Sequence, residues 1–270
     1  MHVAEAGAGD PLVLLHGWPQ HWYAWRKLIP ALAESYRVIC PDLRGFGWTE
    51  APPTGYEKDQ FASDLLATLD ALELDRVRLV GHDWGAFAGW LAALREPQRF
   101  ERYVCMDIIT PWFKPKITPV TLGRASYQFV IMTPLLGRLL VQRVPAFVRT
   151  IYKRGAARPD AAWTDEELAV LVDQFGERER AAATVSLYRA FQLRELRAIA
   201  KGRYAESRMS VPTLALYGEH DPVINAETFA SAAEHCDSLH VEEIPGTGHF
   251  PGEEDPETVL GHLEPFLSGR

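Results

Sequence analysis

Short apolar runs rich in β-branched residues alternate with longer stretches of helical periodicity over most of this chain. Six runs have the pattern of strands, at residues 11–15, 36–40, 77–80, 102–106, 212–217 and 239–244. Stretches between them, such as 61–72 and 84–94, have apolar residues at helical spacing. Apolar strands that alternate with helices predict a mostly parallel sheet with helices on both faces. We therefore expect an α/β protein, and 270 residues suffice for one such core.

One long region interrupts this alternation. From about residue 113 to residue 208 we find no strand pattern, and helical patterns occupy 122–142, 146–153, 165–176 and 178–197. Thr164 is placed to be the N-cap of the third of these helices. A helical insertion between two core strands is typical of a lid that closes over a site at the strand ends. We expect an α/β core made of residues 1–112 and 209–270, and a helical lid at 113–208.

Composition and charge exclude several classes of protein. The net charge of −8 argues weakly against nucleic acid or an anionic membrane as a partner, because both attract basic surfaces. No apolar run approaches the roughly 18 residues of a membrane-spanning helix, and residues 1–5 do not begin a signal peptide. Three cysteines provide no disulfide framework, so we expect buried thiols and a reducing, cytoplasmic location. We expect a monomer or a homodimer.

A Gly-x-Asp-x-Gly turn at residues 81–85 joins the third strand to the helix after it. A sharp strand-to-helix turn projects one side chain above the sheet, and Gly81 and Gly85 allow neighbouring backbone to approach closely. The helix N-terminus favours negative charge on Asp83. Aspartate at this position attacks an sp³ carbon and forms an ester, which an activated water must hydrolyse in a second step. The alternative is an N-cap aspartate with no chemical role.

Partners for such a nucleophile follow in the order acid, then histidine. Asp221 comes just after the fifth strand and His249 just after the sixth, at the sheet edge where sites form in open α/β folds. His249 is the candidate general base on water, and Asp221 would orient its ring. Glu219 competes with Asp221 as the acid. Asp107, just past the fourth strand, is a more serious rival.

Two backbone N–H groups are expected to hold the oxyanion of the second step. One belongs to Trp84, the residue after the nucleophile, and the other to Trp18 in the loop at residues 16–19 (His-Gly-Trp-Pro). We expect a cis peptide bond before Pro19 and a structural role for His16. Trp18, Trp84 and Trp22 are expected to bind a largely apolar substrate.

Three motifs, at residues 16–19, 42–47 (Asp-Leu-Arg-Gly-Phe-Gly) and 81–85, together resemble the epoxide hydrolases of the α/β-hydrolase superfamily. The resemblance spans nearly the whole chain and includes the Asp221 and His249 segments, although haloalkane and haloacetate dehalogenases share much of this pattern. It implies an α/β-hydrolase fold with a lid between core strands, and it implies no metal or organic cofactor. Relatives usually carry a longer lead-in than residues 1–9, so we expect a sheet that is short at that edge.

The resemblance also implies roles for two tyrosines of the lid. Epoxide hydrolases of this kind bind the epoxide oxygen with one tyrosine in an early Tyr-Gln pair, here Tyr127 and Gln128, and one in a late Tyr-Arg pair, here Tyr188 and Arg189. Phenols can donate to a departing alkoxide without being ionised at neutral pH. The alternative is that both tyrosines only pack in the lid core.

These residues predict hydrolysis of a small, largely apolar epoxide to a vicinal diol, with water as the second reactant. One alternative is a haloalkane dehalogenase, which would need a second halide donor beside Trp84. The indole of Trp18 or of Trp163 is a candidate for that donor. The other alternative is a degenerate, non-catalytic hydrolase fold that only binds a ligand.

Overall fold

The computed structural model describes residues 1–115, 119, 123 and 126–269. Its centre is a seven-stranded sheet in the order β1-β3-β2-β4-β5-β6-β7. The strands are β1 Val3–Ala6, β2 Asp10–Leu15, β3 Tyr36–Pro41, β4 Val77–His82, β5 Phe100–Met106, β6 Thr213–Gly218 and β7 Leu239–Ile244. Strands β2 to β7 pair in parallel, and β1 pairs antiparallel with β3. The predicted mostly parallel sheet is confirmed.

Strand β1 corrects the expectation of a short sheet edge. It pairs with β3 in a register that places Val3 opposite Pro41 and Ala6 opposite Val38. Its four residues are only partly buried or exposed. An edge strand needs no continuous apolar run, because only one of its sides is paired and its faces are half covered. Its sequence therefore lacks the pattern that identifies the buried strands.

Helices cover both faces of the sheet. Before β6, the helices outside the insertion are α1 Ile29–Leu32, α2 Lys58–Ala71 and α3 Asp83–Arg95. Those after β6 are α11 Ala226–Ala230, α12 Pro251–Glu254 and α13 Pro256–Ser268. Alternate residues of β2 enter different cores, since Val13 packs in one apolar cluster and Leu14 in the other. Two cores on opposite faces are what a sheet covered on both sides requires.

Between β5 and β6 the described residues form helices and no strand, as predicted. These inserted helices are α4 Ser126–Ile131, α5 Pro134–Arg143, α6 Pro145–Gly155, α7 Pro159–Ala162, α8 Asp165–Asp173, α9 Arg178–Ala190 and α10 Leu196–Ala200. A π-helix, Phe191–Glu195, joins α9 to α10. Thr164 caps α8 in a reciprocal pair of hydrogen bonds with Glu167, as expected of an N-cap.

The helix predicted at 122–142 is interrupted, because α4 ends at Ile131 and α5 begins at Pro134. A proline cannot donate a backbone hydrogen bond, so it starts a new helix more readily than it continues one. Residues 122, 124 and 125 of that prediction lie outside the described residues. None of the helices in the described ranges is both long and apolar enough to cross a membrane.

Candidate active site

The turn between β4 and α3 projects Asp83 at the carboxyl edge of the sheet. Asp83 has a φ of 47°, a left-handed conformation that aspartate tolerates better than most residues. A Cβ atom on Gly85 would lie 2.3 Å from the carbonyl oxygen of His16, and one on Gly17 would lie 2.4 Å from the Asp83 Cβ. The two glycines therefore allow the loop after β2 to approach the turn, which places its N–H groups beside the carboxylate.

The Asp83 carboxylate accepts two backbone hydrogen bonds. The Trp18 N–H donates to Oδ2 at 2.9 Å, and the Trp84 N–H donates to the same carboxylate. The peptide bond between Trp18 and Pro19 is cis, as expected. Burial raises the pKa of Asp83 to about 6, although His249 and the two N–H groups act in the opposite direction. These contacts lie where the oxyanion donors were predicted.

His249 and Asp221 form a hydrogen-bonded pair beside Asp83. The Nδ1 atom of His249 lies 2.6 Å from Asp221 Oδ2, and Nε2 lies 4.0 Å from Asp83 Oδ1. The other oxygen of Asp221 accepts from the backbone N–H groups of Val223 and Ile224, at 2.6 and 2.7 Å. The pair is thus oriented with Nε2 towards Asp83, as a base acting at that residue would be.

The pKa of the imidazole is set by these neighbours. Burial disfavours the charged ring, but Asp221 outweighs it and Asp83 adds to the effect, so that the pKa of His249 is raised to about 10. Burial also acts to raise the pKa of Asp221, yet His249 and the two N–H groups hold it below its ordinary value. A carboxylate and an imidazolium therefore stabilise one another in the resting site.

Asp107 lies in the same cluster without taking the place of Asp221. Its φ is 47°, it is fully buried, and Oδ1 accepts from the Gly218 N–H at 2.9 Å. Burial and the neighbouring Asp221 raise the pKa of Asp107 well above its ordinary value. Two adjacent buried carboxyls cannot both be ionised without large cost, so Asp107 carries the proton. Glu219, the other rival, is half exposed and bonds the Gly246 N–H instead.

The cluster of Asp107, Asp221 and His249 also has ligand types that metals bind, within 4.8 Å of one another. The contact between His249 Nδ1 and Asp221 Oδ2 is only 2.6 Å. Two atoms bound to one ion at about 2.0–2.2 Å each lie farther apart than that. The spacing is that of a hydrogen bond, and it does not suit an ion held between the two side chains.

A single cavity of about 570 Å³ connects the Asp83 turn with the inserted helices. Tyr127 and Tyr188 both line it, together with Asp83 and His249. The two phenol rings meet edge to face with centroids 6.1 Å apart, and the Trp18 ring contacts both. Burial raises the pKa of Tyr127 to about 12, and it also raises the pKa of Tyr188 well above its ordinary value. Both phenols are therefore neutral hydrogen-bond donors at physiological pH.

Trp22 does not occupy the expected position. It is not among the residues that line the cavity, and its ring packs against Tyr23 and Trp48. The Trp22 backbone N–H donates to the Asp42 carboxylate, which also accepts from the Trp48 backbone N–H. Trp22 therefore belongs to the loop network around Asp42. His16 has the structural role expected of it, since it is buried and accepts from the Leu43 N–H.

The indoles that a halide site would need are placed differently. The Trp18 indole N–H donates to the Thr184 hydroxyl of α9 at 3.0 Å. Trp163 packs between Tyr152 and Phe250 and does not line the cavity. Trp84 lines the cavity, and its buried indole N–H lies beside Tyr188. Of the three indoles considered for a halide, that of Trp84 remains the candidate, because Trp18 donates to Thr184 and Trp163 lies outside the cavity lining.

A buried ion pair joins the core to the inserted helices, and nothing in the sequence pattern indicated it. Lys58 Nζ lies 2.9 Å from Glu195 Oε2 and also donates to the Leu187 carbonyl. The same ammonium lies 4.6 Å from the centre of the Trp84 ring. Glu195 also accepts from the Lys58 backbone N–H at 2.8 Å. The pair therefore fixes the helix that carries Tyr188 against the residue after Asp83.

The fold and the arrangement of Asp83, Asp221 and His249 are those of an α/β hydrolase, and comparison with known families gives the same class. The chain matches the alpha/beta hydrolase fold family over residues 10–256, and it belongs to that family. It is 31% identical to a soluble epoxide hydrolase of Corynebacterium sp. (strain C12), over 99% of this chain and 93% of the relative. It is 30% identical to epoxide hydrolase 2 of Siraitia grosvenorii, over 99% and 94% of the two chains.

Solved structures agree with the sequence comparison. The unliganded epoxide hydrolase CorEH superposes with a TM-score of 0.90 at 28% identity, over 99% of this chain and 94% of that one. The predicted α/β-hydrolase fold is thereby confirmed. The resemblance to epoxide hydrolases that the three sequence motifs carry is confirmed as well.

Proposed function

We propose that this protein hydrolyses small, largely apolar epoxides to vicinal diols through a covalent ester on Asp83. The observation that carries the proposal is that one cavity is lined by a nucleophile and its base on one side and by proton donors on the other. A carboxylate with an adjacent His249–Asp221 pair stands on the core side, and the un-ionised phenols of Tyr127 and Tyr188 stand on the other. Opening an epoxide needs both, because a nucleophile attacks a ring carbon while a proton donor protonates the oxygen that leaves this carbon.

In the first step, Asp83 Oδ1 attacks one epoxide carbon, since Oδ2 accepts from the Trp18 N–H. The new C–O bond forms as the bond from that carbon to the epoxide oxygen breaks, and the electron pair goes to the oxygen. Tyr127 and Tyr188 hydrogen-bond to this oxygen, and one of them transfers its proton to it. The product is a hydroxyalkyl ester of Asp83 and a tyrosinate. The imidazolium of His249 gives its proton to the tyrosinate through solvent, which leaves a neutral imidazole for the next step.

In the second step, water is added to the ester. His249 Nε2 removes a proton from water, and the hydroxide adds to the ester carbonyl carbon. The N–H groups of Trp18 and Trp84 hold the resulting oxyanion. Collapse breaks the bond to the alkyl oxygen, which takes the proton from His249 and leaves as the diol. Asp83 is left as the acid and returns its proton to His249, which restores the resting carboxylate and imidazolium. Asp221 stabilises the imidazolium throughout.

The charges of the site suit this order of events. Asp83 contributes to the raised pKa of His249 in the resting site. Formation of the ester removes the Asp83 charge, and the pKa of His249 then falls. Because proton transfer is most effective when the pKa of the base lies near the working pH, His249 becomes a better base at the step that needs one.

A trapping experiment tests the covalent mechanism. His249→Gln should open the epoxide but fail to hydrolyse the ester, so intact mass spectrometry should show the mass of one substrate added. Asp83→Asn, treated in the same way, is the control and should show none. An unmodified His249→Gln protein, in the presence of an epoxide that the wild type converts, would contradict the mechanism.

Parallel measurement of diol formation and halide release separates the three functions considered. Diol from epoxides without halide from haloalkanes is the expected result. Halide release without diol formation would favour the dehalogenase, for which the position of Trp84 in the cavity wall is the supporting observation. Saturable binding with no turnover of either class would favour a non-catalytic ligand-binding protein.

We also propose that the protein acts in the cytoplasm as a monomer or homodimer. The three cysteines, Cys40, Cys105 and Cys236, are free and buried, which accords with a reducing compartment. Fractionation of the source cells tests the location, and light scattering of the purified protein tests the oligomeric state.

A further inference from the structure

The charges of this chain are strongly segregated along its sequence. Between Asp107 and Asp160 there is no acidic residue, whereas nine of the 28 Lys and Arg residues lie there. The rest of the chain contains the other 19 Lys and Arg residues and all 36 acidic residues. A protein with a net charge of −8 therefore contains a long cationic segment, and the inserted helices α4, α5 and α6 belong to it.

The same segment exposes apolar side chains. Helix α5 leaves Leu135, Leu136 and Leu139 exposed by 64%, 51% and 40%. The helical spacing places these leucines on one face with the exposed Arg143, while Gly137 and Val141 are buried. Phe129, Val130 and Val144, just before and after α5, are exposed by 42%, 37% and 41%. Clustered exposed apolar residues mark interaction surfaces, whereas scattered ones do not.

Several exposed cations of α5 and α6 are not neutralised by the protein itself. Arg143, Lys153 and Arg154 have no carboxylate within ion-pair distance in the described part of the chain. Arg149 has one, Asp165, at 3.9 Å. The surface thus combines apolar side chains with cations that are free to meet anions from outside.

We propose that this surface, formed by Leu135, Leu136, Leu139, Val144 and the cation Arg143, docks on an anionic lipid bilayer. A helix with one apolar face and basic residues beside it lies in the interface of such a membrane. The leucines enter the boundary between headgroups and acyl chains, and the cations meet the lipid headgroups. Docking of this kind is peripheral and requires no membrane-spanning helix.

A second copy of this chain fits the surface less well. Pairs of identical subunits join through the same patch on each, so a dimer here would bring two cationic segments together. A uniformly anionic surface complements a segment without acidic residues. The overall negative charge does not oppose this, because charges more than about 10 Å apart are largely screened at 0.1 M salt. The charge of the local surface, and not the net charge of the chain, therefore determines whether this surface is attracted to an anionic bilayer.

Docking would bring one wall of the cavity towards the bilayer. Phe147, Ile151 and Arg154 of α6 line the cavity, as does Tyr127 of α4. Apolar epoxides concentrate in membranes, so a cavity wall at the membrane surface would face its substrate reservoir. This consequence rests on the proposed epoxide hydrolase function, whereas the docking itself does not.

Vesicle sedimentation without any substrate tests the docking. The full-length protein should bind phosphatidylcholine vesicles that contain phosphatidylserine, should not bind phosphatidylcholine alone, and should dissociate as sodium chloride is raised. Arg143→Glu should weaken binding about fivefold or more, from the loss of one basic contact. Leu136→Glu should weaken it about tenfold, from the loss of one inserted leucine.

Matched control variants make the test specific to this surface. Val170→Glu places the same charge on an apolar helical residue that is 42% exposed, but in α8, which begins with three acidic residues. Lys201→Glu reverses an exposed cation outside the cationic segment. Both should bind vesicles as the wild type does, and thermal unfolding should show all four variants folded.

Three results would overturn the proposal. These are no binding to anionic vesicles, equal binding to both kinds of vesicle, and equal binding by all variants. Self-association of the wild type that Leu136→Glu abolishes, without vesicle binding, would assign the surface to a contact between copies. Epoxide turnover in detergent-free buffer is measured separately, so failure of docking leaves the proposed catalytic function standing.

Discussion

Individual side chains in this site hold protons according to their surroundings. Asp83 and Asp107 are both buried aspartates with positive φ, and His249 opposes the effect of burial on both, but Asp83 accepts from two backbone N–H groups. Asp107 has one N–H group, from Gly218, and an acidic neighbour, Asp221. The same side chain is therefore suited to act as a nucleophile at one position and as a neutral acid at the other.

The neutral state of Asp107 leads to a testable contrast between two substitutions. Asp107→Asn preserves size, neutrality and an acceptor for the Gly218 N–H, so turnover should stay within about threefold of the wild type. Asp107→Ala leaves that buried N–H unpaired and should lower the free energy of unfolding by about 1–3 kcal/mol. Urea unfolding and turnover measure the two effects. If Asp107→Asn were as inactive as Asp221→Asn, the charge of Asp107 would be needed and its assignment as neutral would be wrong.

The two cavity tyrosines should each matter through their hydroxyl groups. Tyr127→Phe and Tyr188→Phe each remove one donor to the developing alkoxide and should slow ester formation about 10²–10³-fold. Stopped-flow single turnover measures this step. Tyr152→Phe is the matched control. Tyr152 is a fully buried tyrosine of α6 that does not line the cavity, and its hydroxyl has no hydrogen-bond partner among the residues that the structure describes. Equal effects of all three substitutions would mean that packing, and not proton donation, explains the losses.

At the scale of elements, the site depends on how α2 and the inserted helices meet. Glu195 lies in the π-helix that follows α9, and its carboxylate satisfies both the Nζ and the backbone N–H of Lys58 at the start of α2. A π-helix widens one turn and is frequent at functional sites. Here the widened turn brings Phe191 within 4.6 Å of the Trp84 ring centre. The irregular element thus aligns the nucleophile turn with the helix of Tyr188.

Removal of one partner from this buried pair should be costly. Lys58→Met leaves the Glu195 carboxylate buried without its cation and should lower the free energy of unfolding by about 3–5 kcal/mol. The double variant Lys58→Met/Glu195→Gln should recover part of that loss, since no unpaired charge remains. Denaturant unfolding of the two single variants and the double variant gives the coupling energy.

The exposed pair of Arg37 and Glu5 is the control for this measurement. Both side chains are more than a third exposed, and their contact is 2.9 Å. Arg37→Met should cost at most about 1 kcal/mol, because solvent screens such pairs. If Lys58→Met cost no more than Arg37→Met, the buried pair would contribute little to the attachment of the inserted helices.

For the whole molecule, Asp83 and His249 contribute to the pH dependence of stability with opposite signs. The pKa of Asp83 is about 6 in the folded protein and 3.8 without it, so the native state binds its proton more tightly. Stability is therefore lost as pH rises from about 4 to about 6 and stays lower above that range. His249 acts in the opposite sense, because its pKa of about 10 adds stability that is lost only as pH rises through that value.

Asp83→Asn should reveal this cost in the free energy of unfolding. Asparagine tolerates a positive φ and cannot ionise, so the variant should be more stable than the wild type by about 2 kcal/mol at pH 7–8. The difference should become small near pH 4 and vanish near pH 3, where the wild-type carboxyl is largely protonated in both states. Denaturant unfolding across this pH range measures it. A difference that does not change with pH would show that another effect of the substitution dominates.

The local sequence determined the parts of this protein that depend on neighbouring residues. Alternating apolar runs predict the parallel strands, and the turn at 81–85 predicts a strand-to-helix junction with Asp83 at its apex. Thr164 predicts a helix start, which the structure has. Asp221 and His249 follow strand ends, and parallel strands bring their carboxyl ends to one edge. These features need only chain geometry and periodicity, which a sequence carries directly.

Only the tertiary structure decided which side chains meet across long separations. It pairs Lys58 with Glu195 and the Trp18 indole with Thr184, and it places Trp22 away from the cavity. Strand β1 forms because β3 offers it an edge, and its own residues carry no strand signal. Side-chain direction and burial depend on the packing of elements far apart in the chain, and no local pattern encodes that packing.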